Sequence, residues 1–144
     1  MLYEHYNPPN GFNFDVLYHN TQWLDTNGES EAQKLMKLLD DRASHYKSND
    51  LFVVFGEDFN YMKASQNYQS MDNMIDYMNS HYQDKYLFKY STPSQYVDAL
   101  STQTISLPLK YDDLFPYSDK PDAYWTGYFS SRPNYKEFAR RVSR

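Results

Sequence analysis

Apolar positions recur at intervals of three and four residues in two long stretches of the chain, which predicts two amphipathic helices. The first helix is predicted from Ser30 to Tyr46, and Ser30 with Gln33 forms a capping-box pattern at its start. The second is predicted from Tyr68 to Tyr82, with three methionines at a spacing more typical of a core than of a metal or cofactor site. The residues expected on the buried faces are Leu35, Leu38, Leu39 and Ala43 in the first helix and Met71, Met74, Ile75 and Met78 in the second.

Shorter apolar runs predict two strands. Residues 51–56 are apolar on both faces, as expected for a parallel strand covered by helices. Residues 86–90 form a second, more amphipathic run. After it, Thr92 supplies an N-cap, Pro93 a first helical residue and Gln95 a capping-box partner, so a short helix should follow.

The rest of the chain has weaker periodicity. Phe12 to Tyr18 is predicted to be a short extended segment and residues 112–121 a loop, and a last helix should run from Pro133 towards Arg140. Helices that alternate with strands predict an α/β fold with a parallel sheet. Two strands make an incomplete sheet, so we expect the 144 residues to be a slice of one larger α/β domain.

Composition and charge exclude several classes of function. The net charge is −5, and the only basic cluster, Arg140, Arg141 and Arg144, fits a solvated helix face, which argues against a nucleic-acid partner. With no cysteine, the chain holds no disulfide, thiolate metal site or cysteine nucleophile. We expect no membrane span, since no long apolar run occurs, and the first five residues lack the features of a signal peptide.

Asp58 is the candidate for chemistry, because Gly56-Glu57-Asp58 follows the first predicted strand directly. Functional groups gather at the carboxyl ends of strands in α/β folds. Phe59 and Tyr61 could shield Asp58 from water and raise its pKa, as a general acid requires. From position alone, an Asp that caps a turn is the more common alternative.

Other candidates carry weaker signals. The four histidines, at positions 5, 19, 45 and 81, have no metal-ligand spacing, so no metal site is expected in this chain. The 16 tyrosines fit an ordinary core better than a sugar groove, although ring faces also stack on sugars. The aromatic segments around Asp112-Asp113 and from Tyr124 to Pro133 are too apolar for free loops and should pack against a barrel or a neighbouring domain.

Five motifs, in order from near residue 3 to near residue 139, resemble the α-mannosidases of glycoside hydrolase family 38, and the lysosomal branch above all. The most specific is Tyr124-Trp125-Thr126-Gly127-Tyr128-Phe129-Ser130-Ser131-Arg132-Pro133. The others are His5-Tyr6-Asn7-Pro8-Pro9-Asn10-Gly11, Gly56-Glu57-Asp58-Phe59-Asn60-Tyr61, Tyr90-Ser91-Thr92-Pro93 and Asp112-Asp113-Leu114-Phe115-Pro116-Tyr117.

This resemblance implies that residues 1–144 are an internal fragment of an N-terminal catalytic domain with a parallel α/β barrel-like fold. It implies a retaining, zinc-assisted cleavage of terminal α-linked mannose, with Asp58 as general acid/base and Tyr6 in contact with the sugar. The family's nucleophilic Asp and its zinc ligands lie outside this sequence, so Asp58 is present without the second carboxyl group that retention requires.

The same resemblance sets the expected partners and location. The partners are a mannose-containing oligosaccharide and the remainder of the catalytic domain, without which the chain should be inactive. The location implied is the lysosome or vacuole, or secretion. The alternative left open is a non-catalytic, Tyr-rich module that binds carbohydrate or has a structural role.

Overall fold

The structure, a computed structural model, describes residues 5–18 and 22–144. The chain divides into two compact units, Met1–Ser106 and Leu107–Arg144. The first unit contains the helices α1 (Gly28–Ala43), α2 (Ala64–His81) and α3 (Pro93–Ser101). The second contains the strands β1 (Ser118–Lys120) and β2 (Ala123–Tyr124) and the helices α4 (Gly127–Ser130) and α5 (Pro133–Val142).

The core of the first unit lies between α1, α2 and the aromatic segment that precedes them. The two helices contribute most of the faces that the periodicity predicts, although Ala43 is exposed, and the Trp23 ring lies 5.9 Å from that of Tyr77. Burying each of these large apolar side chains stabilises the fold by about 1.5–3 kcal/mol. The buried apolar residues are Phe12, Phe14, Trp23, Ala32, Leu35, Leu39, Met71, Met74 and Met78.

The predicted start of α1 is wrong. The helix begins at Gly28, and its N-cap residue Asn27 makes no side-chain capping bond. The Asn27 side chain is already committed to the preceding turn, since it accepts from the Leu24 amide at 2.8 Å and donates to the Gln22 carbonyl at 2.9 Å. Ser30 lies inside the first turn, so it does not form the predicted box with Gln33.

The other two helices of this unit confirm their sequence signals. α2 covers the predicted stretch and buries its three methionines. α3 begins with the predicted capping box: the Thr92 hydroxyl accepts from the Gln95 amide at 3.3 Å, and the Gln95 side chain accepts from the Thr92 amide at 3.1 Å. Such a cap contributes about 1 kcal/mol to helix stability.

Neither segment predicted as a strand belongs to a sheet, so these two predictions are wrong for the described residues. A strand requires hydrogen bonds to a neighbour, and here other groups bind the backbone of both segments. The Tyr61 hydroxyl donates to the Phe55 carbonyl at 2.6 Å. The Asn79 side chain both donates to the Phe88 carbonyl and accepts from the Phe88 amide, each at 2.8 Å. The predicted barrel-like class of the complete domain stays a prediction.

Two further segments depart from their predictions. The extended segment predicted at 12–18 ends in a turn, because the Tyr18 amide donates to the Asp15 carbonyl at 3.0 Å. The loop predicted at 112–121 contains β1, which pairs antiparallel with β2. The left-handed residue Asp122, with φ of 59°, turns the chain between them.

The second unit has little core of its own. None of residues 107–144, all of which the structure describes, is buried, and its aromatic rings are largely exposed. α5 confirms the helix predicted from Pro133. Among the residues that the structure describes, no helix combines the length and apolar character needed to cross a membrane.

Candidate active site around Asp58

Asp58 and Tyr6, the two residues expected in a site, are in direct contact. The Tyr6 hydroxyl donates to Oδ1 of Asp58 at 2.8 Å, although the residues are 52 positions apart in sequence. A second bond holds the Tyr6 backbone, whose carbonyl accepts from the Gly56 amide at 2.8 Å. Tyr6 is therefore fixed at both ends against the loop that carries Asp58.

Gly56 makes this approach possible because it has no side chain. A Cβ atom at this position would lie 2.9 Å from the Tyr6 carbonyl oxygen and 3.0 Å from Cδ2 of the Tyr6 ring. Both distances are shorter than ordinary van der Waals contact. Any side chain at this position would obstruct the approach of Tyr6, so glycine is what permits it.

Glu57 is a second link between the segment that contains Tyr6 and Asn7 and the loop that carries Asp58. Its Oε1 atom accepts from the Asp58 amide at 2.9 Å, and its Oε2 atom accepts from the Asn7 side chain. The hydrogen bond to Asp58 raises the pKa of Tyr6, and partial burial and the negative charges of Asp58 and Glu57 act in the same direction. Tyr6 therefore stays protonated, as a hydrogen-bond donor, through the neutral range.

The loop after Asp58 has a strained backbone. Phe59 and Tyr61 are left-handed, with φ of 62° and 69°, a conformation that costs non-glycine residues about 1–3 kcal/mol each and persists only where neighbouring contacts hold it. The Tyr61 amide donates to Oδ2 of Asp15 at 2.6 Å, and the Tyr61 hydroxyl closes the loop through its bond to the Phe55 carbonyl. These bonds keep the loop in one conformation.

Asp15 is a site residue that the sequence analysis missed. Its carboxylate is fully buried and accepts from the Leu17 amide at 3.2 Å, the Tyr61 amide at 2.6 Å and the Asn67 side chain at 3.3 Å. Burial acts to raise the pKa of Asp15 and is the largest single influence. The hydrogen bonds from Leu17, Tyr61, Asn67 and the Met62 backbone together outweigh burial, so the pKa lies below its ordinary value. An acidic residue inside an apolar run was the signal that could have identified it.

The expected shielding of Asp58 is absent in the described residues. Asp58 is exposed, and the Phe59 side chain is 81% exposed. Tyr61 packs instead beside Tyr68, with ring centroids 5.7 Å apart. Asp58 is thus accessible to a ligand from solvent.

The remaining candidates are the acidic pair at Asp112 and the histidines. Asp112 lies in the second unit, where it forms an ion pair with Lys110 at 2.5 Å. His81 is the last residue of α2, His45 lies just beyond the end of α1, and His19 lies outside the described residues. Within residues 5–18 and 22–144, no group of three His, Asp or Glu side chains could hold a metal ion. The described residues therefore do not fit a zinc site.

Comparison with known proteins identifies the class of this chain. The model of the glycosyl hydrolases family 38 N-terminal domain matches residues 1–120, so the chain belongs to this family. A lysosomal alpha-mannosidase of Dictyostelium discoideum is 39% identical over 94% of the chain, and an alpha-mannosidase of Canavalia ensiformis is 38% identical over 89%. A lysosomal alpha-mannosidase of Cavia porcellus is 34% identical over 97%.

The chain spans 14–15% of the length of these relatives. No solved structure matches it. The resemblance identified from the motifs is therefore confirmed at the level of the family.

Proposed function

We propose that this segment supplies the general acid/base, Asp58, to a longer α-mannosidase that cleaves terminal α-linked mannose from N-glycans or glycoprotein oligosaccharides. The observation that carries the proposal is the hydrogen bond between the Tyr6 hydroxyl and the exposed Asp58 carboxylate, held by the close approach at Gly56. Its support comes from the family and from relatives that are named alpha-mannosidases.

Asp58 would act twice in a retaining reaction. As an acid, it protonates the glycosidic oxygen while the bond from that oxygen to the anomeric carbon breaks and a nucleophilic carboxylate bonds to that carbon. As a base, it then takes a proton from the water molecule that displaces the carboxylate. Tyr6 occupies Oδ1 of Asp58, and among the described residues no side chain occupies Oδ2, which is left to carry the transferred proton.

Tyr6 has the chemistry to contact the sugar as well. Its proton is committed to Asp58, so the hydroxyl oxygen is left as an acceptor for a sugar hydroxyl. The raised pKa of Tyr6 favours this protonated form. We therefore propose that Tyr6 both binds substrate and orients the acid/base.

The nucleophile and the zinc ion of the proposed reaction belong to parts of the enzyme outside this sequence. The first unit has an open cavity of about 850 Å³, and this open space supports the proposal that a further segment of the enzyme packs here. Its walls include residues 51–55 and 85–91, which form no strand within the unit. We propose that the remainder of the catalytic domain covers this cavity with extended chain that pairs with these residues.

Asp58→Asn in the parent enzyme, meaning the full-length protein that contains this segment, tests the assigned role. Asparagine keeps the acceptor for Tyr6 but cannot exchange a proton, so turnover of an alkyl mannoside should fall about 100- to 10,000-fold. A dinitrophenyl mannoside, whose leaving group needs no protonation, should lose much less in kcat/KM. Normal turnover of both substrates would reject the role of Asp58.

The isolated chain gives a second test. Without the nucleophile it should not hydrolyse a mannoside, and measurable turnover by the purified 144-residue chain would contradict the proposal. The alternative, a Tyr-rich carbohydrate-binding module, is favoured by the exposed aromatic rings of the second unit, among them Tyr111 and Trp125. It requires a cooperative melt of the chain and sugar binding that survives Asp58→Asn.

The location follows from the relatives alone. Those from Dictyostelium discoideum and Cavia porcellus are named lysosomal enzymes. We propose the lysosome or vacuole, or secretion, for the parent enzyme. Fractionation of cells that express a tagged form would test this, and recovery in the cytosol would contradict it.

A further inference from the structure

The geometry points to Asp15 as a positioning residue that holds the Asp58 loop in its working conformation. This inference rests on the proposed role of Asp58 and adds to it a residue that does not touch the substrate. Asp15 lies 43 positions before Asp58 and is fully buried beneath the loop that carries it.

The Asp58 loop is held at Tyr61, a residue whose backbone conformation is energetically unfavourable. Tyr61 is left-handed, and its amide donates to Asp15 at 2.6 Å, the shortest of the bonds to this carboxylate. At the other end, the Gly56 amide is held by the Tyr6 carbonyl. Asp58 lies between these anchors, so its direction depends on both of them.

The turn at residues 13–17, which contains Asp15, also contacts the Asp58 loop through Asn13. The Asn13 side chain accepts from the Asn60 side chain at 3.2 Å and from the Asp15 amide at 3.1 Å. Asn13 thereby links the backbone of Asp15 to the residue before Tyr61. The turn at residues 13–17 is therefore a platform for the loop, and Asp15 is its buried centre.

A carboxylate is required at this position because both oxygens accept. Oδ1 accepts from the Leu17 amide, and Oδ2 accepts from the Tyr61 amide and the Asn67 side chain. Asparagine has one oxygen and one NH2 group, so it would turn a donor towards one of these donors. Asp15→Asn should therefore release either the turn or the loop while it changes the side-chain volume little.

The test compares two substrates in the parent enzyme. If Asp15 positions the acid, Asp15→Asn should lower kcat/KM for an alkyl mannoside about 10-fold or more, with less than about a 2-fold loss for a dinitrophenyl mannoside. A variant that merely reduces the folded fraction would lower both values equally. Equal losses, or no loss, would overturn the inference.

Glu31→Gln is the matched control. Glu31 is also a buried carboxylate, but its ion pair at 2.7 Å is with Lys34 of the same helix. Glu31→Gln should show no selective loss, which means that any change in kcat/KM should be equal for the two mannosides. If Asp15→Asn does not fold, Asn67→Ala removes one of the four donors to Asp15 and should show a smaller selective loss on the alkyl mannoside. An equal loss on both substrates would overturn the inference.

Asp58→Asn in the same assay separates the two proposals. A selective loss in Asp58→Asn without one in Asp15→Asn or Asn67→Ala rejects only the positioning role. The absence of selectivity in Asp58→Asn rejects the proposed function itself.

Discussion

Gly56→Ala adds one methyl group at the closest contact of the candidate site. The new Cβ would lie 2.9 Å from the Tyr6 carbonyl oxygen, and ordinary contact begins at 3.4 Å. The nearest atom is a backbone oxygen, which cannot rotate out of contact as the end of a flexible side chain can. Tyr6 as a whole must therefore shift. The substitution therefore tests whether the close approach matters to Asp58.

The geometry sets the size of the effect. Tyr6 has to retreat by about 0.5 Å, which would lengthen its 2.8 Å bond from the Gly56 amide to about 3.3 Å, beyond the usual range. Crowding of this kind costs about 1–3 kcal/mol. Since a misplacement of about 1 Å can cost 100-fold in rate, half of that should cost about 10-fold.

Two measurements follow the change. In the parent enzyme, kcat for an alkyl mannoside should fall about 10-fold, since the Tyr6 hydroxyl moves away from Asp58. In the same enzyme, hydrogen exchange of the amide at position 56 should become about 5-fold faster, which corresponds to the loss of about 1 kcal/mol of hydrogen bonding.

Gly127→Ala is the matched control. The nearest atom to an added Cβ there is the Ser131 hydroxyl oxygen at 4.0 Å, so the methyl group meets no obstacle. This position lies in α4, where alanine should favour the helix by up to about 1 kcal/mol. If Gly56→Ala matched Gly127→Ala in both measurements, the close approach at Gly56 would have no functional role.

Three further predictions concern the first unit, and hydrogen exchange of this segment within the parent enzyme checks each of them. Met78→Ala should lower the opening free energy of α1 and α2 by about 2–5 kcal/mol, because Met78 is fully buried between them, and a loss below 1 kcal/mol would contradict this. Thr92→Ala should weaken the first turn of α3 by about 1 kcal/mol, seen as faster exchange at Gln95, with unchanged exchange as the contrary result. Hydrogen bonds from Gln33 and Tyr82 lower the pKa of Glu29, which places its proton uptake in the folded chain at a lower pH than in the unfolded chain. The stabilisation from Glu29 is therefore complete above about pH 4–5 and lost as the pH falls through its folded pKa, and Glu29→Gln should remove that part of the acid sensitivity.

The features that the sequence predicted correctly depend on nearby residues. The capping box at Thr92 involves residues three positions apart, and nothing else competes for those groups. The methionines of α2 repeat with the period of the helix, so their burial followed from spacing alone. Ser30 failed as a cap because Asn27, three residues earlier, organises a turn that the pattern did not reveal.

The features that the sequence did not predict depend on distant residues. Strands at 51–56 and 86–90 need neighbours, and the described part of the chain supplies none. Asp58 and Tyr6 were predicted from motifs, but their hydrogen bond spans 52 positions, and no periodicity encodes such a contact. Asp15 was missed for the same reason, since its bonds to Tyr61 and Asn67 span 46 and 52 positions.

The Asn79 side chain, which satisfies both backbone groups of Phe88, has a consequence for self-association of the first unit. Residues 51–56 form an uncharged run of high β-propensity, the kind of segment that self-associates when its edges are free. Within this run, the Tyr61 hydroxyl occupies the Phe55 carbonyl, and in residues 86–90 the Asn79 side chain occupies both backbone groups of Phe88. These two side chains thus reduce the unpaired backbone on which a second copy of the chain would add by strand pairing.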